Sequence, residues 1–283
     1  KEKLISRSEA IQNIHLPKNE EMIRQSKKRL KFEELFFLQL QILQLKNKRL
    51  SAFPGYVFKK SKLLNTFYKK HLPFNLTEAQ KKVIKECYED MCSGKQMNRL
   101  VQGDVGSGKT IVAFMCMLFA IEDRSQIAFM APTEVLAGQH FKSIKKQAEK
   151  LNVSVAVLTG STKKKDRDVL LEKLMKGEIN ILIGTHALIE KRVQFKKLGL
   201  VIIDEQHKFG VAQRAKLWSK KEKYYPHILV MTATPIPRTL ALTLYGDLDV
   251  SVIDELPSGR KKIITSHRND NSRLKVFGFI NKT

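Results

Sequence analysis

The chain has 283 residues, enough to bury one α/β core of ordinary size with a substantial appendage, and its 52 Lys and Arg against 28 Asp and Glu give a formal charge of +24. A surplus that large favours a polyanionic partner through counterion release, although Lys scattered over solvated helix faces would produce the same total; charge alone therefore points to nucleic acid without establishing it. No membrane association is expected, because the longest wholly apolar run, Ile111 to Ile121, is too short to span a bilayer and the Lys-Glu-Lys start lacks the apolar stretch of a signal peptide. Cys87, Cys92 and Cys116 form neither an even disulfide set nor a CxxC zinc pair, which fits a reduced, cytoplasmic protein.

The N-terminal third reads as helix. Asn19 is placed to cap a segment whose first turn carries Glu20 and Glu21, and Leu35, Leu38, Ile42 and Leu45 recur at helical spacing up to a break at Phe53-Pro54-Gly55. Phe32, Phe36 and Phe37 widen that stripe, so the helix is expected to dock on the domain that follows; heptads are not sustained, which argues against a coiled coil. Residues 1–71 are expected to be a helical appendage.

From Leu76 short apolar runs alternate with amphipathic stretches. Leu100 to Gln102, Ile127 to Met130, Val155 to Leu158, Ile179 to Ile183, Leu200 to Ile203 and Ile228 to Met231 read as six buried strands. Ile111 to Ile121, Val135 to Lys150 and Asp166 to Met175 have helical length and pattern, so the expected fold class is α/β, a doubly wound, mostly parallel sheet over residues 72–260 with ligands beyond the strands' C-terminal ends. After the polar stretch from Asp254 to Arg260, the run Ile263 to Thr265 and a short helical segment are expected to open another domain, 261–283.

Two motifs carry chemistry. Gly103-Asp104-Val105-Gly106-Ser107-Gly108-Lys109-Thr110 matches GxxxxGK[ST] between a strand and a helix, where the glycines let successive N–H groups face phosphate oxygens, Lys109 reaches the β- and γ-phosphates and the Thr110 hydroxyl ligates Mg²⁺. Asp204-Glu205-Gln206-His207 follows an apolar strand. Beside a phosphate loop, Asp204 is expected to hold Mg²⁺ and Glu205 to orient and deprotonate the attacking water; alone, the pair would read as a solvated loop start.

These motifs belong to an ordered series: Gln80 in Phe74-Asn75-Leu76-Thr77-Glu78-Ala79-Gln80, the phosphate loop, Ala131-Pro132-Thr133-Glu134, Leu158-Thr159-Gly160-Ser161, Gly184-Thr185-His186-Ala187, Asp204 to His207, and Thr232-Ala233-Thr234-Pro235. The series resembles that of superfamily 2 helicases, whose nucleotide-binding domain is RecA-like. Lys208-Phe209-Gly210-Val211 after the Asp-Glu-Gln-His string, Ile236-Pro237-Arg238-Thr239 after Thr-Ala-Thr-Pro, and Gly246-Asp247-Leu248-Asp249 resemble the RecG family and its relative, the transcription-repair coupling translocase. His207 after Gln206, and Phe32-Glu33-Glu34-Leu35 in the preceding helix, tilt the resemblance toward RecG.

The resemblance implies that Gln80 contacts adenine, that Pro132, Thr133, Thr159, Gly160, Thr185 and His186 hold DNA phosphates, and that Gln206, His207, Thr232, Thr234 and Arg238 couple the nucleotide site to DNA. A turn or cap role for each strand-end residue, and a structural role for His207, stay open. The implied activity is ATP- and Mg²⁺-dependent remodelling of branched DNA by a monomer associated with the bacterial nucleoid. The implied neighbours are a wedge domain before this chain and a second motor domain after it, the latter supplying an Arg to the γ-phosphate; with Lys rather than Met at position 1, an earlier natural start is expected. Alternatives are the coupling translocase and a nucleic-acid-binding module in which nucleotide is only structural, while the absence of an Asn-Lys-x-Asp string weighs against a signalling GTPase.

Overall fold

The computed structural model describes residues 3–59, 61–72, 74–205, 224–234, 248–257 and 265–281. Helix α1 (Arg7–His15) opens on a capping box between Ser6 and Glu9 and packs against α2 (Glu20–Ala52), whose first turn is capped as expected by Asn19 Oδ1 accepting the Met22 N–H at 2.9 Å. Glu33 of α2 receives Arg7 from α1 and Arg29 from its own helix.

The expected docking of the α2 stripe is corrected. Phe32, Leu35, Phe36, Phe37, Leu40 and Leu43 are exposed, Phe32 and Phe36 stacking with ring centroids 5.9 Å apart, while Leu38 and Ile42 are half-buried. Helical periodicity reports that a face is apolar and says nothing of what covers it. One ion pair, Lys46 to Asp249, ties the far end of α2 to the sheet.

The chain enters the α/β core directly after α2, upstream of the expected appendage limit at His71. Gly55 N–H donates to Gly94 O, Phe58 N–H to Met91 O and Tyr225 N–H to Pro54 O. Phe58 and Phe67 lie in the main core cluster, Phe67 against Phe114; Phe67 begins a π-helical turn (Phe67–His71) that follows α3 (Lys62–Thr66).

The sheet combines β1 (Asn98–Gly103), β2 (Gln126–Met130), β3 (Val155–Leu158), β4 (Ile181–Gly184), β5 (Leu198–Asp204), β6 (His227–Thr232) and β7 (Asp249–Ile253) in the order β3-β4-β2-β5-β6-β1-β7, and all its pairings are parallel. Helices α4 (Glu78–Cys92), α5 (Lys109–Glu122), α6 (Glu134–Ala148) and α7 (Lys164–Lys176) cover it. Burial on both faces is why the strands read as continuous apolar runs: Ile127 and Phe129 belong to one core cluster, Ala128 and Met130 to another. The six expected strands are present, and β7 is additional. Its Asp-Val-Ser-Val-Ile alternates polar and apolar and leaves Val252 exposed, so it lacks the buried-run signature of its neighbours. Ile263 and Ile264 fall outside the described residues; α8 (Arg273–Ile280) follows them.

His227, at the start of β6, locks the entering segment to the sheet. The Met97 N–H donates to its Nδ1 at 2.9 Å, so Nε2 carries the proton and donates to Tyr56 O at 2.7 Å. Burial holds this imidazole down to about 4, and a charged ring would set a second N–H against that of Met97. Because the unfolded chain takes up the proton near pH 6.5 and the folded chain only near 4, this contribution is full above pH 6.5 and is lost as pH falls toward 4, in total on the order of 3 kcal/mol. Urea melts at a series of pH values should show this loss in the wild type, and His227→Asn should lower stability at pH 7.5 while flattening the profile between those limits.

Candidate nucleotide and nucleic-acid site

β1 delivers its chain to the phosphate loop and α5 leaves it. Gly106 and Gly108 take φ of +78° and +89°, a region that L side chains rarely adopt, and a Cβ on Gly108 would overlap Gln80 Nε2. A Cβ on Gly103 would lie 2.5 Å from Ser107 Oγ, so the loop curls too tightly for side chains at either position. Lys109 Nζ folds back onto Gly103 O at 2.7 Å and Asp104 O at 3.0 Å. Burial holds its ammonium below the usual lysine range, with the Asp204, Glu205 and Asp104 carboxylates opposing that shift.

The loop suits a polyphosphate on the structure's own terms. It leads directly into the N-terminus of α5, and Ser107 Oγ is buried with no hydrogen-bond partner among the described residues, a donor that a phosphate oxygen would satisfy. Thr110 is half-buried in the first turn of α5, the residue after Lys109. Gln80, fully buried in the first turn of α4, accepts the Thr77 N–H at 3.0 Å and donates to Ser107 O at 2.7 Å. Its carboxamide therefore braces the phosphate loop from a fully buried position.

Asp204 and Glu205 stand at the tip of β5, separated from the β1 tip only by β6. Glu205 adopts φ +53°, an uncommon backbone for a non-glycine residue, held by its N–H donating to Met231 O at 2.9 Å. Its Oε1 accepts the Ala233 N–H at 3.0 Å and its Oε2 the Thr232 hydroxyl at 3.3 Å; Thr232 Oγ1 also accepts the Thr234 N–H at 3.1 Å. Thr232 and Thr234 are thus coupled to the expected general base. Among the described residues no group of three or more His, Cys, Asp or Glu is placed to hold a metal ion. Gln206, His207 and Arg238 lie outside the described residues.

The other half of the sheet gathers the remaining expected residues. Pro132 and Thr133 follow β2, Thr159 and Gly160 follow β3, and Thr185 and His186 follow β4, so all six share one edge. Thr133, Gly160 and His186 are exposed, whereas Thr159 and Thr185 are buried. Thr133 caps α6 by accepting the Leu136 N–H at 3.3 Å, and Thr159 bonds the Ser161 hydroxyl at 2.9 Å. Three features on this side escaped the sequence reading. Glu134 accepts from the Ser161 N–H and hydroxyl at 3.2 and 2.8 Å; His140 of α6 lies 2.8 Å from Asp204; and Lys163, Lys164 and Lys165 are all exposed where α7 begins. Cations oppose the dipole at a helix N-terminus, so three in succession were a readable signal of an anionic partner.

Residues 77–243 match the DEAD/DEAH box helicase family. The chain is 49% identical over 265 residues to the ATP-dependent DNA helicase RecG of Streptococcus pneumoniae serotype 4, across 94% of this chain and 39% of that protein. It is 47% identical over 282 residues to the RecG of Synechocystis, across 100% of this chain and 34% of that one. A solved structure of RecG bound to a three-way DNA junction aligns with a TM-score of 0.86 at 42% identity, covering 98% of this chain and 37% of that one. The helicase MrfA bound to DNA, at 17% identity and a TM-score of 0.56 over 81% of this chain and 36% of that one, shares the fold alone. The chain spans little more than a third of the curated relatives it matches. With its seven-stranded RecA-like sheet and its motifs at the strand tips, the chain belongs to the DEAD/DEAH box helicase family and is similar over nearly its whole length to RecG.

Proposed function

We propose that this chain is the ATP-binding half of a RecG-type motor that couples ATP hydrolysis to remodelling of branched DNA in the bacterial cytoplasm, with residues 72–260 as the nucleotide-binding unit. The observation that carries this reading is the convergence of Lys109, at the start of α5 after β1, with Asp204 and Glu205 at the tip of β5, while Thr232 and Ala233 at the end of the intervening β6 bond Glu205. Phosphate oxygens entering the loop take the place of Gly103 O and Asp104 O around Lys109 Nζ, and Ser107 Oγ gains a partner. Thr110 and Asp204 would hold Mg²⁺, which would supply charge neutralisation at the β- and γ-phosphates.

Glu205 orients a water and accepts its proton. The two bonds from Thr232 and Ala233 fix its carboxylate, so a displacement of that segment changes the geometry of the base; this is the coupling assigned to Thr232, Thr234 and, by resemblance, Gln206, His207 and Arg238. Pro132, Thr133, Thr159, Gly160, Thr185 and His186 meet phosphates of the tracked strand, assisted by Lys163 to Lys165. Such contacts position without reading bases, as a translocase requires. An Arg from a second motor domain of the kind the resemblance implies would complete charge stabilisation on the γ-phosphate, an effect typically worth about 10³- to 10⁵-fold in rate, and the motor would act as a monomer.

In a chain extended to the length of the relatives, forked DNA should stimulate ATP hydrolysis strongly and Glu205→Gln should lower turnover by about 10²- to 10⁴-fold with nucleotide binding retained. Absence of DNA-stimulated turnover in that extended chain would defeat the motor reading. DNA affinity, measured by fluorescence anisotropy on duplexes of unrelated sequence, should fall steeply and linearly in log–log form with salt and vary little with sequence, whereas a salt-insensitive affinity would exclude contacts made through phosphates.

A further inference from the structure

We propose that His140 is a positioning residue for the Asp204 carboxylate, through which helix α6 sets the geometry of the Mg²⁺ site; the inference rests on the nucleotide-site reading above. His140 Nε2 lies 2.8 Å from Asp204 Oδ2, and an ionised carboxylate can only accept, so Nε2–H is the donor. Both side chains are largely shielded, 14% and 12% exposed, and the imidazole packs on the buried ring of Phe129 with centroids 4.6 Å apart. His140 is the only hydrogen-bond partner of the Asp204 carboxylate among the described residues. A carboxylate at a strand tip rotates freely about its last bond unless one oxygen is held; fixing Oδ2 leaves Oδ1 aimed at a defined place.

The origin of the partner matters. α6 is capped by Thr133, its first-turn Glu134 clamps Ser161 of the turn after β3, and His140 sits in the following turn, about 9 Å along the axis. One rigid helix therefore touches two of the expected strand-contacting loops with its first turn and the metal-site carboxylate with its second. α6 packs on β3 and β4, and through His140 it reaches Asp204 at the tip of β5. Any axial shift of α6 on engaging a DNA strand moves the donor that aims Asp204. A purely structural histidine would do no more than fill space against Phe129, and its loss would leave the response to Mg²⁺ unchanged.

The test is equilibrium binding of a methylanthraniloyl ATP analogue to the 283-residue chain, titrated with MgCl₂ or held in EDTA. In the wild type Mg²⁺ tightens binding, and Asp204→Ala sets the scale for loss of that gain. His140→Ala should raise the Mg²⁺ concentration needed for half of the gain by about tenfold while affinity in EDTA stays at the wild-type value. His140→Gln, which keeps an N–H donor near the position of Nε2, should recover most of the gain. A folded His140→Ala protein with the wild-type Mg²⁺ midpoint overturns the proposal. So does equal weakening with and without Mg²⁺, which marks a packing role. A wild-type chain whose nucleotide binding ignores Mg²⁺ removes the nucleotide-site reading itself, and the proposal with it, an outcome visible before any variant is made.

Discussion

The arrangement depends on parallel pairing of β6 with both β5 and β1. Ile203 lies beside Val230 and Val101 beside Met231, so the ends of the three strands are level and their loops leave side by side. The phosphate loop, the Asp204-Glu205 pair and the Thr232-Ala233-Thr234 segment come from distant stretches of sequence, and this register alone makes them neighbours. Backbone hydrogen bonding extends to the tips: the Glu205 N–H still reaches Met231 O, although the residue has left the strand with positive φ. The site thereby stands at the ends of strands buried on both faces, whose positions are fixed from both sides of the sheet.

Much of this was legible in the sequence because the relevant chemistry is local. A glycine-rich loop between a strand and a helix needs only its own eight residues to be recognised, and an apolar run ending in two acids announces a strand tip. What escaped notice is non-local. His140 gains meaning only because β2 lies beside β5, a neighbour relation that no spacing encodes, and Glu134 only because the turn after β3 folds toward α6. Gln80 was identified, yet the two bonds it makes inside the protein, to Thr77 and Ser107, arise from its capping-box position on α4.

The N-terminal segment shows the same limit in a different form. Its apolar stripe was read correctly as a stripe, and the cap at Asn19 as a cap, but the expected docking partner was not the one found: α2 lies against α1 and holds the sheet through Lys46. Tethering to the α/β core falls instead to residues 54–58, where backbone pairing with Gly94 and Met91 and the buried Tyr56–His227 bond form a short, rigid strap. A movement of α2 is therefore transmitted to the sheet at two points, the strap beneath the strands' N-terminal ends and the pairing of Lys46 with β7.

The position of β1 also bears on how the chain is made. Its partners come from far downstream, Leu100 lying against Val230 on one side and Val250 on the other, so the strand bearing the phosphate loop emerges from the ribosome long before either neighbour exists. Until then both of its edges are open and its apolar residues lack a cover, which makes it the point most exposed to mispairing during synthesis. α5, packed on β1 and rich in buried apolar side chains, is available at once and can shield one face. Folding of the nucleotide site is thus governed by the closure of the longest loops in the domain, and contact order places that step late and slow.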